Sequence, residues 1–316
     1  MVYKIMKNED FFKENIFYSV TGRVFAILLA IFSSCFLFVS LIFPSFKDTE
    51  SGYDGFADGY YYTYAEDSSG VVLEECREEL SGDIVIPAIV GGKKVAGLGQ
   101  NLFASNDKIT GVIISEGIKE ISFRSFYDCN QLKAVSIPNS VIEVRDEAFE
   151  GCSNLEYYEK DGAYYLGNEI NHYIYLAKVS QSASISIENG CKFIAESSFY
   201  RSSIKSIVIP NTVISIGRLA FNACEYLESV TLQNGLKDIR FKAFANCDSL
   251  KGKTIVIPNS VEYIDDFIFY NSRLTIYCEA ESEPDRWAMY WDYYSDNWKD
   301  VFSSHRCTVV WGYKGE

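Results

Sequence analysis

The sequence predicts a β-rich solenoid, on three observations. The first is a phrase that recurs along the chain: an apolar strand ending Ile-Pro, an apolar residue, Ile or Val, Ala/Ser-Phe, Cys, then Leu. It reads IISEGIKEISFRSFYDCNQLKAV over 113–135 and SIPNSVIEVRDEAFEGCSNLEYY over 136–158. It returns over 208–230 and 231–255 and closes as VIPNSVEYIDDFIFYNSRLTIYC over 256–278. A fixed period near 23 residues means stacked coils, not a globule around one centre. The second is the spacing of one aromatic position. Phe103, Phe126, Phe149, Phe199, Phe221, Phe244 and Phe269 stand 23, 23, 50, 22, 23 and 25 residues apart, and the interval of 50 reads as two coils plus a short insertion. The third is a local alternation. Val213, Ile216, Phe221 and Leu227 point inward, then Val230 and Leu232 at strand spacing, with Ser229 and Thr231 outward. Each coil therefore carries a short parallel strand, the strands stack into a sheet along one side, and Phe stacks on Phe.

These residues resemble the BspA-like leucine-rich repeats of the Treponema pallidum type, whose pattern is roughly LxxVxIPxxVxxIgxxAFxxCxxL. The resemblance covers about 59–278 with seven copies. The first copy departs from it, because Ile86-Pro87 is followed by a longer loop, 88–94. The stretch 156–186 departs further. DGAYYLGNEINHYIYLAKV reads as a hairpin with Gly167-Asn168 at or near its turn, an excursion from the solenoid. The resemblance implies a right- or left-handed leucine-rich repeat solenoid that binds, in adhesion to host matrix, host cells or other bacteria.

The run 24–43, opening at Val24 and closing at Phe43, carries no charge and has the length to cross a ~30 Å hydrocarbon core. Lys4, Lys7, Lys13 and Arg23 precede it, while Lys47 follows amid Asp48, Glu50 and Asp54. Positive charge stays inside, so residues 1–23 are expected in the cytoplasm and the solenoid outside. A cleaved signal peptide is the rival reading and would make the protein secreted. Against it stand the long run, the long n-region and the lack of an A-x-A site. A lipoprotein reading of Cys35 fails because the following residues stay apolar. The expected order is thus a cytoplasmic segment (1–23), a transmembrane signal-anchor helix (24–43), a Gly/Asp/Ser linker (44–58), the solenoid (59–278) and a cap (279–316).

The net charge of −14 argues against nucleic acid as a partner. Nine cysteines in an exported chain would ordinarily signal disulfides. Here Cys129, Cys152, Cys224 and Cys247 share one repeat position, which reads as buried free thiols in tight turns. Cys278 and Cys307 are the pair that could bridge. One cysteine per coil does not make a metal site. In the tail, Pro284, Trp287, Trp291, Tyr294 and Trp298 have helical spacing. The stripe reads as a helical cap followed by a strand over 307–311, with an aromatic sugar platform as the alternative.

Catalytic signals are missing. The two histidines, His172 and His305, lack partner motifs, and Gly91-Gly92-Lys93-Lys94 lacks the spacing and hydroxyl of a phosphate loop. Asp54-Gly55 and Asp58-Gly59 fall short of a calcium loop. The expectation is a non-enzymatic surface protein with no cofactor and no metal. Its partner would be a protein ligand; the alternatives are a glycan, or a role as the ectodomain of a membrane sensor. Two surfaces are candidates. One is the outward strand face, with Gly111, Ile113, Ala134, Ser136, Ser206, Val208, Ser229, Thr231, Thr254 and Val256, small and uncharged. The other is the hairpin with Tyr164, Tyr165, Tyr173 and Tyr175, half of which must face inward on the pleat.

Overall fold

The computed structural model describes residues 52–77, 79–181, 184–294 and 305–315. The chain divides into two compact units, Met1–Gly55 and Phe56–Glu316. The apolar run 24–43 lies outside the described residues. Among the described residues no helix is long and apolar enough to cross a membrane.

The second unit is a β-solenoid of about nine turns. Where the repeat pattern points to one parallel sheet, the structure has two stacks of strands. The longer strands Gly82–Ile86, Ile109–Ile114 and Ala134–Ser136 pair in parallel, as do Ser206–Ile209 with Ser229–Leu232. Thr254–Ile257, Thr275–Cys278 and Thr308–Trp311 form a third set. The second stack is built from strands as short as two residues, such as Phe193–Ile194, Ser215–Ile216, Asp238–Ile239 and Tyr263–Ile264. Two residues are too few to show alternation, so this stack is invisible in the sequence. Val213, Ile216, Phe221, Leu227, Val230 and Leu232 are all buried.

Between the short strand and the return, each coil makes a tight turn centred on its Phe. Phe103–Phe126 and Phe126–Phe149 stack at 5.3 and 5.4 Å, and Phe199–Phe221, Phe221–Phe244 and Phe244–Phe269 at 4.5, 5.0 and 6.0 Å. The residues two before and two after the Phe take left-handed backbone angles, for example Arg124 and Asp128 (both φ 57) and Leu219 and Ala223 (φ 56 and 58). Such angles cost side-chain-bearing residues about 1 kcal/mol or more each. The geometry is held by amides that reach the next coil. Arg124, Phe126 and Asp128 donate to the carbonyls of Asp146, Ala148 and Glu150, and Leu219, Phe221 and Ala223 donate to Phe241, Ala243 and Ala245.

The cysteine position closes the same turn. The Sγ of Cys129, Cys152, Cys224 and Cys247 donates to the carbonyl of Phe103, Phe126, Phe199 and Phe221 at 3.0–3.2 Å. All four are buried free thiols, and so are Cys278 and Cys307. Burial pushes the Cys224 thiol up to about 12, which leaves it protonated and inert at neutral pH.

The loop 88–94 is a hairpin in which Ile89–Val90 pairs with Lys93–Lys94 around Gly91 and Gly92, both left-handed. The excursion holds two hairpins. Tyr158–Lys160 turns at Asp161-Gly162 into Ala163–Leu166, which then pairs with Tyr175–Val179. Gly167 therefore opens the loop 167–174 and is not a two-residue turn. The excursion divides the interior into two cores: Tyr165 and Leu176 belong to the later one, and Leu166 and Tyr175 to the earlier.

Among the described residues 284–294 there is no helix where Pro284 predicts one. Residues 284–292 form turns, and Tyr293–Tyr294 pairs with His305–Arg306. Trp287 bridges to Ile264, and the Ala288 amide donates to the Ile264 carbonyl, so the segment continues the short-strand stack. Trp287 and Trp291 are buried 4.8 Å apart, which makes them core and not a sugar platform. Trp298 lies outside the described residues.

Candidate functional site

The strand face is exposed where alternation puts it. Ala134, Ser206, Val208, Ser229, Thr231 and Thr254 are exposed, and Ser136 and Val256 half-buried. Registers align Ser206 with Ser229, Val208 with Thr231, and Ile113 with Ser136. Gly111 departs from the expectation. It is buried because the Asp83 carboxylate lies over it, with Asp83 Oδ1 accepting the Thr110 hydroxyl at 2.7 Å.

The two candidate surfaces meet at one place. Ser136 bridges to Gly167, and the Ile137 amide donates to the Gly167 carbonyl at 2.9 Å, so the excursion grows directly from the edge of the Ala134–Ser136 strand. The 167–174 loop then rises beside the strand face. Asn168 fixes it: its Nδ2 donates to the Ile137 carbonyl at 2.7 Å, and its Oδ1 accepts the Ile170 and Asn171 amides, both at 2.9 Å. A side chain at Gly167 would place Cβ 2.1 Å from the Asn171 carbonyl oxygen, so only glycine fits.

The result is an open groove of about 910 Å³. Ile113, Ala134, Ser136 and Gly167 line its floor, and Tyr158, Ile170 and His172 its wall. Tyr158 and His172 stack at 4.7 Å and 17°. Ile113 is 53% and Ile170 89% exposed, so both present apolar surface to the groove. The charged residues around it are Asp83, Glu116, Glu156 and Glu169 against Lys133.

A model of the BspA type leucine-rich repeat region matches residues 96–169 and 168–280 in six copies, more than half of the chain. The chain belongs to the BspA-type leucine-rich repeat family. Among solved structures it is similar to the T. pallidum leucine-rich repeat protein at 20% identity, covering 68% of this chain and 87% of that one, with a TM-score of 0.38. It is similar to a leucine-rich repeat protein from Bacteroides ovatus at 24% identity, covering 76% of this chain and 63% of that one, TM-score 0.37. The pneumococcal vaccine antigen PcpA aligns at 21% identity over 65% of this chain and 54% of that one, TM-score 0.35. No curated protein matches the chain in sequence.

In this BspA-type repeat protein the hairpin tyrosines serve different ends. Tyr165 and Tyr175 are buried, the latter edge-on to Phe149 at 5.6 Å, where it replaces the missing Phe of the ladder. Tyr164 lies across the hairpin beside Tyr157, with the Lys178 ammonium 5.5 Å from its ring. Tyr173 is half-buried behind the Tyr158–His172 pair, 5.4 Å from Tyr158. Sequence reasoning missed Tyr158, Ile170 and His172 as groove residues. A rare histidine beside a tyrosine cluster is the signal that was available.

Proposed function

We propose that this protein is a non-enzymatic cell-surface binding protein that holds a protein ligand in the groove between the strand face and the 167–174 loop. The groove itself carries the reading. Its small floor lets an extended backbone approach, Ile113 and Ile170 offer apolar anchors, and the stacked rings give contact area at low entropy cost. Its acidic surroundings favour a neutral or basic ligand surface. On this reading the ligand is a host matrix or cell-surface protein. Ser206, Val208, Ser229, Thr231 and Val256 form a second, flatter strip that would serve as a secondary contact. One observation favours a glycan instead: a stacked aromatic pair flanked by Glu156 and Glu169 suits a sugar ring and its hydroxyls. The full chain, applied in parallel to a host-protein array and a glycan array, separates the two. Hits on the protein array are expected; hits confined to glycans contradict the proposal.

We also propose that residues 24–43 anchor the chain with its N-terminus inside. Protease added to intact cells is then expected to remove the repeats and leave a small membrane-bound fragment. Repeats protected until lysis would overturn that orientation.

A further inference from the structure

Neighbouring Phe turns from Phe103 to Phe269 are stitched by three amides each, contributed by the Phe and the residues two before and two after it. At the excursion this stitching fails. The amides of Glu147, Phe149 and Gly151 have no hydrogen-bond partner among the described residues. On the far side the carbonyls of Glu196 and Tyr200 accept nothing among those residues, while that of Ser198 takes the Val179 amide at 3.1 Å. The cause is topological. Where a regular coil turns after two strand residues, the strand Tyr175–Val179 continues antiparallel along the preceding Ala163–Leu166, and the turn that belongs between Phe149 and Phe199 is not built.

The missing turn leaves a slot of about 390 Å³ with Glu147 and residues 149–153 on one rim, 195–197 on the other, and Tyr157, Tyr175 and Ala177 between them. Buried side chains on the far coil are also left unpaired. Ser202 occupies the cysteine position, but no Phe carbonyl precedes it, and its hydroxyl is orphaned although the residue is only 2% exposed. Ser198 Oγ (residue 6% exposed) and Glu196 Oε2 are orphaned too. Unpaired buried polar groups are costly, so native folds rarely retain several together without a partner.

The charged side chains that line the slot are all acidic. Glu147, Glu150 and Glu196 line it, with no Lys or Arg among the lining residues. Arg124 and Arg218 each engage one oxygen of Glu147 and Glu196 from outside, leaving Glu196 Oε2 unpaired and Glu150 exposed. We propose that this slot binds a short basic segment of a partner protein, which supplies the missing turn. Its carbonyls accept from Glu147, Phe149 and Gly151, its amides donate to Glu196 and Tyr200, and a Lys or Arg side chain meets Glu196 and Glu150. This is strand addition transferred to a turn edge. It is separate from the groove, whose floor lies on the strand face.

Amide hydrogen exchange on the full chain tests the premise. The amides of Glu147, Phe149 and Gly151 are expected to exchange at least about tenfold faster than those of Arg124, Phe126 and Asp128. Equal protection in the free chain would overturn the proposal. A phage library of random 12-residue peptides, panned on the full chain, supplies the probe. Enriched peptides are expected to carry Lys or Arg and to protect the 147–151 amides when bound. Ala177→Trp, which fills the slot, and Glu150→Lys, a surface charge reversal that should fold normally, are each expected to weaken that peptide at least about tenfold. Ser136→Arg in the groove is expected to leave it unchanged. Failure to enrich any peptide, or peptides that bind Glu150→Lys as well as the parent, would overturn it.

Discussion

Phe221→Ala is expected to destabilise the repeat unit by about 3–5 kcal/mol. Phe221 is fully buried between Phe199 at 4.5 Å and Phe244 at 5.0 Å, both nearly parallel to it. Its carbonyl also receives the Cys247 thiol, and its amide reaches Ala243. Truncation removes the ring from both neighbours at once, and a rigid turn held by inter-coil amides collapses poorly into the cavity. Coils contact only adjacent coils, so the loss spreads outward from one point, and the unfolding transition should broaden as well as shift. Thermal and denaturant melts read both. An unchanged melt would show that the ladder is not the spine of the fold.

Gly235→Ala is expected to cost on the order of 3 kcal/mol, from two separable terms. Its φ of +124° is a conformation reserved for glycine, and a Cβ there would lie 2.0 Å from the Asn211 carbonyl oxygen. Gly117 isolates the first term. Its φ is +104°, yet a Cβ would meet nothing within 4 Å, so Gly117→Ala should cost only about 1–2 kcal/mol. The two positions are otherwise alike: each amide donates to a serine hydroxyl of the next coil, Gly117 to Ser140 and Gly235 to Ser260. Equal losses in the two variants would mean that the contact with Asn211 does not matter.

The inward Phe, Val and Ile positions were legible in the sequence because burial repeats them at a constant interval. The outward residues of the long strands were legible for the same reason, since alternation assigns a face once one inward residue is known. The short-strand stack was not, because Ser215-Ile216 or Asp238-Ile239 is too brief to display a period. The C-terminal helix was a misreading with a physical origin. A separation of four between Trp287 and Trp291 fits a helix face, but it also fits successive inward positions of a coil. The interruption was half legible. The 50-residue interval announced an irregular coil, whereas the absent turn became visible only from unpaired amides at Glu147, Phe149 and Gly151. Tyr175 concealed it in the sequence by taking the ring position beside Phe149.

The groove is read from surfaces that no repeat pattern dictates. Ile113 and Ile170 lie far apart in sequence, and the bridge from Ser136 to Gly167, with the bond from Asn168 to the Ile137 carbonyl, brings the loop against the face. The most direct test is binding of the full chain to the host-protein array, measured beside two variants. One carries Ser136→Arg with His172→Ala in the groove, and the other Ser206→Arg with Ser229→Arg on the strip beyond the excursion. His172, Ser206 and Ser229 are exposed, where substitutions usually shift stability by less than ~0.5 kcal/mol, and Ser136 is half-buried on the strand face, so a thermal melt of each variant accompanies the binding measurement. The groove variant is expected to lose at least about tenfold in affinity, some 1.4 kcal/mol, while the strip variant keeps most of its binding. Binding that survives in the groove variant and disappears in the strip variant would contradict the assignment and move the site to the regular strand face.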